Sequence, residues 1–143
     1  MSICDINIPG AVVYQCPICG KALPSEPVPP RFDAPCSDCR YHLWCRRRAS
    51  DGEVVLEVLP QRTPQPDEVE QLVDALVREH GSGRVMVDLS RLESIDSCLA
   101  ARLVAMNKSL RSSGGQLVLR GLGPTVREII RCFRLNHIFE IAN

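Results

Sequence analysis

The feature that most constrains this chain is a change of hydrophobic period between Val85 and Leu110, in the run V-M-V-D-L-S-R-L-E-S-I-D-S-C-L-A-A-R-L-V-A-M-N-K-S-L. Val85, Val87 and Leu89 alternate, as strand residues do when one face packs. From Leu99 the period lengthens, and Leu99, Leu103, Met106 and Leu110 fall on one helical face. Asp96 and Ser97 stand where the period switches, and both residue types are favoured at helix starts. A strand feeding directly into an amphipathic helix is half of a crossover unit, which points to a largely parallel sheet.

The flanks extend that pattern. Glu53–Leu59 reads as a strand, preceded by Asp51-Gly52, a strong hairpin signal, so Tyr41–Arg48 is predicted to pair with it antiparallel. Asp67–His80 is predicted helical, with Val69, Leu72, Val73, Leu76 and Val77 in one stripe and acids at its positive end. Ser112-Ser113-Gly114-Gly115 turns the chain into the strand Gln116–Arg120. Gly121-Leu122-Gly123-Pro124 then opens a helix with Val126, Ile129, Ile130 and Phe133 on one face, and Ile138–Ile141 is left as a short strand or turn. Cys98 and Cys132, both in helical segments, are expected as small buried apolar residues.

The first third is different. Six of the eight cysteines precede residue 46 and seven of the eleven prolines precede residue 36, so this segment cannot build much core of its own. Cys16-Pro-Ile-Cys19-Gly20 and Cys36-Ser-Asp-Cys39 repeat a Cys-x2-Cys spacing, which suits a four-thiolate structural zinc site and resembles a zinc ribbon. Two cysteines two residues apart on a tight turn aim both sulfurs at one point, and Gly20 lets the first turn reverse. Four thiolates leave the ion no open position, so structural Zn²⁺ is expected, with His42 and Cys45 as bystanders and Cys4 as a spare thiol. A redox Cys-x-x-Cys pair would open a long helix, which Pro24, Pro27, Pro29 and Pro30 forbid. Residues 1–13 carry β-formers broken by Pro9-Gly10. Tyr41–Arg48 is expected to serve both parts, as last strand of the ribbon and edge strand of the following sheet. Arg46-Arg47-Arg48 is then read as a solvated edge that discourages aggregation, in preference to a phosphate- or RNA-contacting patch, because no aromatic residues interleave with further basic ones.

Beyond about residue 53 the motifs V-D-L-S-R-L-E-S-I-D-S, G-G-Q-L-V-L-R-G-L-G-P-T-V-R-E-I-I and L-N-H-I-F-E-I, in that order, resemble the STAS domain of anti-sigma-factor antagonists. The resemblance implies an α/β fold with a STAS-like mixed, largely parallel sheet and crossover helices, here preceded by the ribbon: residues 1–50 as the zinc-ribbon-like module and 51–143 as the STAS-like domain. It also implies a non-enzymatic regulatory module that binds a partner kinase, itself an anti-sigma factor, and is phosphorylated on the serine after the aspartate. That position is Ser97, with Asp96 and Cys98 beside it in the partner surface. The family usually continues Asp-Ser-Ser-Gly, whereas this chain has Asp96-Ser97-Cys98-Leu99. The intact Asp96-Ser97 favours the switch; Cys98-Leu99 favours the alternative, an unphosphorylated STAS structural subunit of a transporter or other complex.

The remaining classes find little support. Seventeen basic and seventeen acidic side chains balance, against the excess a dedicated nucleic-acid binder carries. No apolar run reaches the length of a membrane span and the N-terminus shows no signal pattern, so a cytoplasmic protein is expected. The three histidines are scattered, and neither a Walker-type glycine loop nor a nucleophile with a nearby base is present.

Overall fold

The computed structural model describes residues 14–23, 35–50, 53–60, 63–80 and 83–142. The expectations for residues 1–13, Cys4 and the Asp51-Gly52 turn lie outside the described residues. In chain order the elements are β1 (Tyr14–Gln15), β2 (Ala22–Leu23), β3 (Cys45–Ser50), β4 (Glu53–Val58), α1 (Pro66–His80), β5 (Arg84–Asp88), α2 (Ser97–Ser112), β6 (Gln116–Arg120), α3 (Pro124–Cys132), a 3-10 turn (Leu135–His137) and β7 (Glu140–Ile141). All seven strands join one mixed sheet in the order β2-β1-β3-β4-β5-β6-β7.

The predicted hairpin is present, beginning at Cys45 rather than Tyr41: β3 pairs antiparallel with β4 from Cys45↔Val58 to Ser50↔Glu53. From β4 onward every neighbour is parallel, with Leu56 beside Val87 and Val87 beside Leu119. Each parallel step carries an intervening helix or, into β7, α3 and the 3-10 turn, which is the crossover the period switch implied.

Alternation along the strands sorts the two faces. Val54, Leu56, Val58, Val85, Val87, Leu89, Leu117 and Leu119 share one core with Leu72 and Leu76 of α1, Leu103, Met106 and Leu110 of α2, and Val126 and Ile130 of α3. Val55, Met86 and Val118 form a smaller cluster on the opposite face. Each large aliphatic side chain fully removed from water contributes about 1.5–3 kcal/mol, so the helix-covered face is the main source of stability. Tyr41 and Trp44 lock the start of the hairpin to α1: Trp44 Nε1 donates to the Tyr41 hydroxyl at 2.8 Å, which donates to the Glu68 carbonyl at 2.7 Å.

Three expectations are corrected. Arg46 and Arg47 do not lie on a solvated edge; they are 2% and 8% exposed, because β1 pairs with β3 on its far side through Gln15↔Arg47 and carboxylates from other elements meet the guanidinium groups. Cys98 and Cys132 are exposed, since each is out of phase with the buried stripe of its helix. Phe133 is 51% exposed: α3 ends at Cys132, and the left-handed turn at Arg134 (φ 59°) carries the chain away before Phe133 can complete the stripe.

Gly121 is required where β6 ends. Its φ is +71°, and a Cβ there would lie 2.5 Å from Asp88 Oδ1. Gly121→Ala is expected to lower stability by about 1–3 kcal/mol, read as a lower urea midpoint with an unchanged m-value.

Candidate functional site

Two features carry chemistry, and a buried polar network lies between them. The first is the cysteine cluster. In each Cys-x2-Cys turn the backbone folds back on itself in the same way: Gly20 N donates to the Cys16 carbonyl and Cys16 N to the Lys21 carbonyl, just as Arg40 N donates to the Cys36 carbonyl and Cys36 N to the Tyr41 carbonyl. The residue after each second cysteine takes positive φ, Gly20 at 81° and Arg40 at 68°. Glycine marks the first turn in the sequence; the second makes the same reversal with an arginine, which sequence reasoning passed over.

The two turns bring Cys16, Cys19, Cys36 and Cys39 together, all four sulfurs within 4.8 Å of one another. Cys16 Sγ lies 3.6 Å from Cys39 Sγ, and Cys19 Sγ 3.6 Å from Cys36 Sγ. A disulfide needs about 2.05 Å. Sulfurs about 2.3 Å from a tetrahedral ion would stand about 3.8 Å apart. The four side chains therefore fit a metal ion. Burial pushes the Cys16 thiol up. Burial also raises Cys36, but N–H groups of Cys39 and Asp38 and the neighbouring Cys19 and Cys16 thiols outweigh it and bring it down to about 7. His42 is exposed and outside the cluster, and Cys45 is fully buried in the core, its thiol raised by desolvation.

The second feature is the start of α2. Asp96 is the N-cap: its backbone is extended, and its Oδ1 accepts from Leu99 N at 2.8 Å. Ser97 is the first helical residue and does not cap. Asp96, Ser97 and Cys98 are all exposed. Leu99, Ala100 and Leu103 are buried on the other side of the helix. Beside it lies a hollow of about 250 Å³, floored by Leu59, Leu92, Ile95 and Leu99 and edged by Ser94 and Asp96. Arg102 Nε donates to the Pro64 carbonyl at 3.0 Å and ties the loop before α1 to α2.

Between these features, on the sheet face turned away from the helices, sits Glu57 of β4, 5% exposed. Its Oε1 meets Arg46 Nη2 of β3, and Arg91 Nη1 of the β5–α2 loop at 3.8 Å. Its Oε2 accepts from Arg48 Nη1 at 3.2 Å and from the Tyr14 hydroxyl of β1 at 3.2 Å. Arg46 also stacks on Tyr14, its guanidinium carbon 3.6 Å from the ring centroid. Arg48 Nη2 reaches Asp88 Oδ2 at 3.1 Å, and Asp88 Oδ1 accepts from Ser90 N at 2.9 Å. None of these partners was foreseen. The available signal was positional, since Arg46 and Arg48 share a face with Glu57 once the hairpin register is fixed, and the parallel register sets Asp88 beside Glu57.

Comparison with known proteins agrees with the fold. A family model described as Mlab, STAS domain, matches residues 45–141. BtrV of Bordetella bronchiseptica, a candidate anti-sigma factor antagonist, is 38% identical over 65 residues, 46% of this chain and 56% of that protein. The chain thus spans about half the length of the curated relative it matches. The NMR structure of the protein TM1081 aligns with TM-score 0.55 and 24% identity, over 68% of this chain and 78% of that one. An anti-sigma-factor antagonist (STAS) domain protein from Planctomyces limnophilus gives TM-score 0.52 and 20% identity, over 68% and 87% of the two chains. These structures show the fold. Among the described residues no helix is long and apolar enough to cross a membrane.

The capping geometry makes a separable prediction. Asp96→Ala is expected to cost about 1 kcal/mol, while Ser97→Ala leaves stability nearly unchanged. Thermal melts of the two variants beside the parent protein check it.

Proposed function

The chain belongs to the STAS family, and from that premise we propose that it is a non-enzymatic, protein-binding regulator of the anti-sigma-factor antagonist kind, switched by phosphorylation of Ser97. Its partner is an anti-sigma-factor kinase or a related regulator, and Asp96, Ser97 and Cys98 lie in the contact surface. Cys16, Cys19, Cys36 and Cys39 hold one structural Zn²⁺, which supplies folding free energy to a segment too small to fold on packing alone. Residues 1–50 form the zinc-ribbon-like module and 51–143 the STAS-like domain, joined by the β3–β4 ladder. The cytoplasm, where thiolates persist, is the matching compartment.

One observation carries the switch reading: the Ser97 hydroxyl is exposed at the first turn of a 16-residue helix, while its neighbour Asp96 does the capping. A phosphate there sits where free N–H groups and the helix dipole favour negative charge, so modification leaves the fold intact. It acts outward, adding about two negative charges to the partner's side of the contact. Cys98-Leu99 in place of Ser-Gly favours the second reading, an unphosphorylated STAS subunit of a transporter or other complex.

The switch is tested with the kinase recovered by pull-down from the native cell. Ser97→Asp is expected to weaken binding at least tenfold (about 1.4 kcal/mol) with the melting temperature nearly unchanged, and Ser97→Ala to retain both. Ser97→Asp binding as tightly as the parent protein would transfer the assignment to the subunit reading. For the metal, elemental analysis should give close to one zinc per chain. Cys36→Ser should abolish zinc retention and disorder the two turns while the far-ultraviolet helical signal persists; a zinc-free parent protein with native near-ultraviolet dichroism would sink the metal assignment.

A further inference from the structure

We propose that Glu57 is a positioning residue through which filling of the four-cysteine cluster sets the conformation of the loop that leads into Ser97. The inference rests on the metal and Ser97 readings above and adds a connection between them. One buried carboxylate receives a group from each side. From the cysteine side comes Tyr14, two residues before Cys16 in the strand that the first turn closes, with its hydroxyl 3.2 Å from Glu57 Oε2. From the serine side comes Arg91, in the loop between β5 and α2, 3.8 Å from Glu57 Oε1. Arg48 adds a second link to that loop, since it joins Glu57 to Asp88, which holds Ser90 N.

The chemistry of the pair explains why such a contact transmits. Glu57 is too buried for water to replace a lost partner, so a donor that leaves must be compensated by the others. Tyr14 also presents its ring to Arg46, the closest cation on Glu57. Moving Tyr14 therefore disturbs both the hydroxyl donor and the cation. The long Arg91 contact is the one with room to tighten, and Arg91 belongs to the loop that ends at Asp96, next to Ser97. The position of β1 depends in turn on closure of the first turn: among the described residues β1 pairs with β3 through a single residue pair, Gln15↔Arg47, and otherwise with β2, the strand that follows Cys19. Metal on the cysteines holds Tyr14 on Glu57; its loss frees Tyr14, and Arg91 moves. Coupling of this kind is reciprocal, so a change at Ser97 alters zinc retention by the same factor.

The experiment is amide hydrogen exchange on the full, zinc-loaded chain before and after treatment with a chelator, for the parent protein and for Tyr14→Phe. The substitution removes one oxygen from a half-buried ring and keeps the strand and the cysteines. Residues 89–96 of the parent protein should change their exchange rate about fivefold or more on zinc removal, with β5 and β6 unaffected. In Tyr14→Phe, with zinc still bound at purification, the loop should respond to chelator clearly less than the parent's, because the hydroxyl link to Glu57 is gone and only the ring contact to Arg46 is left to transmit the change. An unchanged loop in the zinc-loaded parent, an equal change in β5 and β6, or a Tyr14→Phe loop that responds as the parent's does would each overturn the coupling while leaving the metal and Ser97 readings in place. A parent protein that carries no zinc would overturn the metal reading itself, and the coupling with it.

Discussion

The carboxylate of Glu57 is the constraint around which the unusual parts of this molecule are arranged. Parallel pairing of β4 with β5 sets Glu57 next to Asp88, on a sheet face where both are 5% exposed. Two like charges on neighbouring strands repel, and the repulsion is stronger out of water. The arrangement is tolerable only because Arg48 bridges both carboxylates and Arg46 and Tyr14 complete the shell of Glu57. Such a network contributes little net stability, since desolvation offsets the attraction, but it makes alternatives costly. A one-residue slip of the hairpin would turn Arg46 and Arg48 to the apolar face and leave two carboxylates buried without cations.

That requirement explains why the cysteine-rich segment is not a separate appendage. β3 runs between β1 and β4 in a continuous sheet, so the edge that would have carried Arg47 into solvent is covered, and Arg47 pairs instead with Glu79 of α1 at 2.6 Å. Tyr41 and Trp44 make the same connection on the helix side. The segment lacks the apolar area to order itself. The shared strand ties it into the main sheet, and four cysteines placed where they could hold a metal ion lie beside it.

At the start of α2, capping and exposure are divided between adjacent residues. Asp96 satisfies the backbone of Leu99, so the Ser97 hydroxyl has no structural duty there. The apolar stripe of Leu99, Leu103, Met106 and Leu110 anchors the helix from the far side.

The sequence by itself determined the elements, the sheet's main sense and the grouping of the cysteines. Period-2 and helical repeats report burial on one face of one element, and that information is local. Tyr41–Arg48 and Glu53–Leu59 were legible as a hairpin from the Asp-Gly pair between them, and the Cys-x2-Cys turns from their repeated spacing. Local patterns could not say which side of β3 would be covered, so Arg46-Arg47-Arg48 read as a solvated edge. Nor could they show that α3 stops one residue short of Phe133, or that Cys98 and Cys132 fall off the buried stripes. The choice of Asp96 over Ser97 as cap depends on one backbone torsion, which the two residue types leave open. Only the tertiary structure decided the partners of Glu57, because they come from three separate segments, Tyr14, Arg46 with Arg48, and Arg91. Their meeting depends on strand register and strand order, which are properties of the whole sheet rather than of any stretch within it.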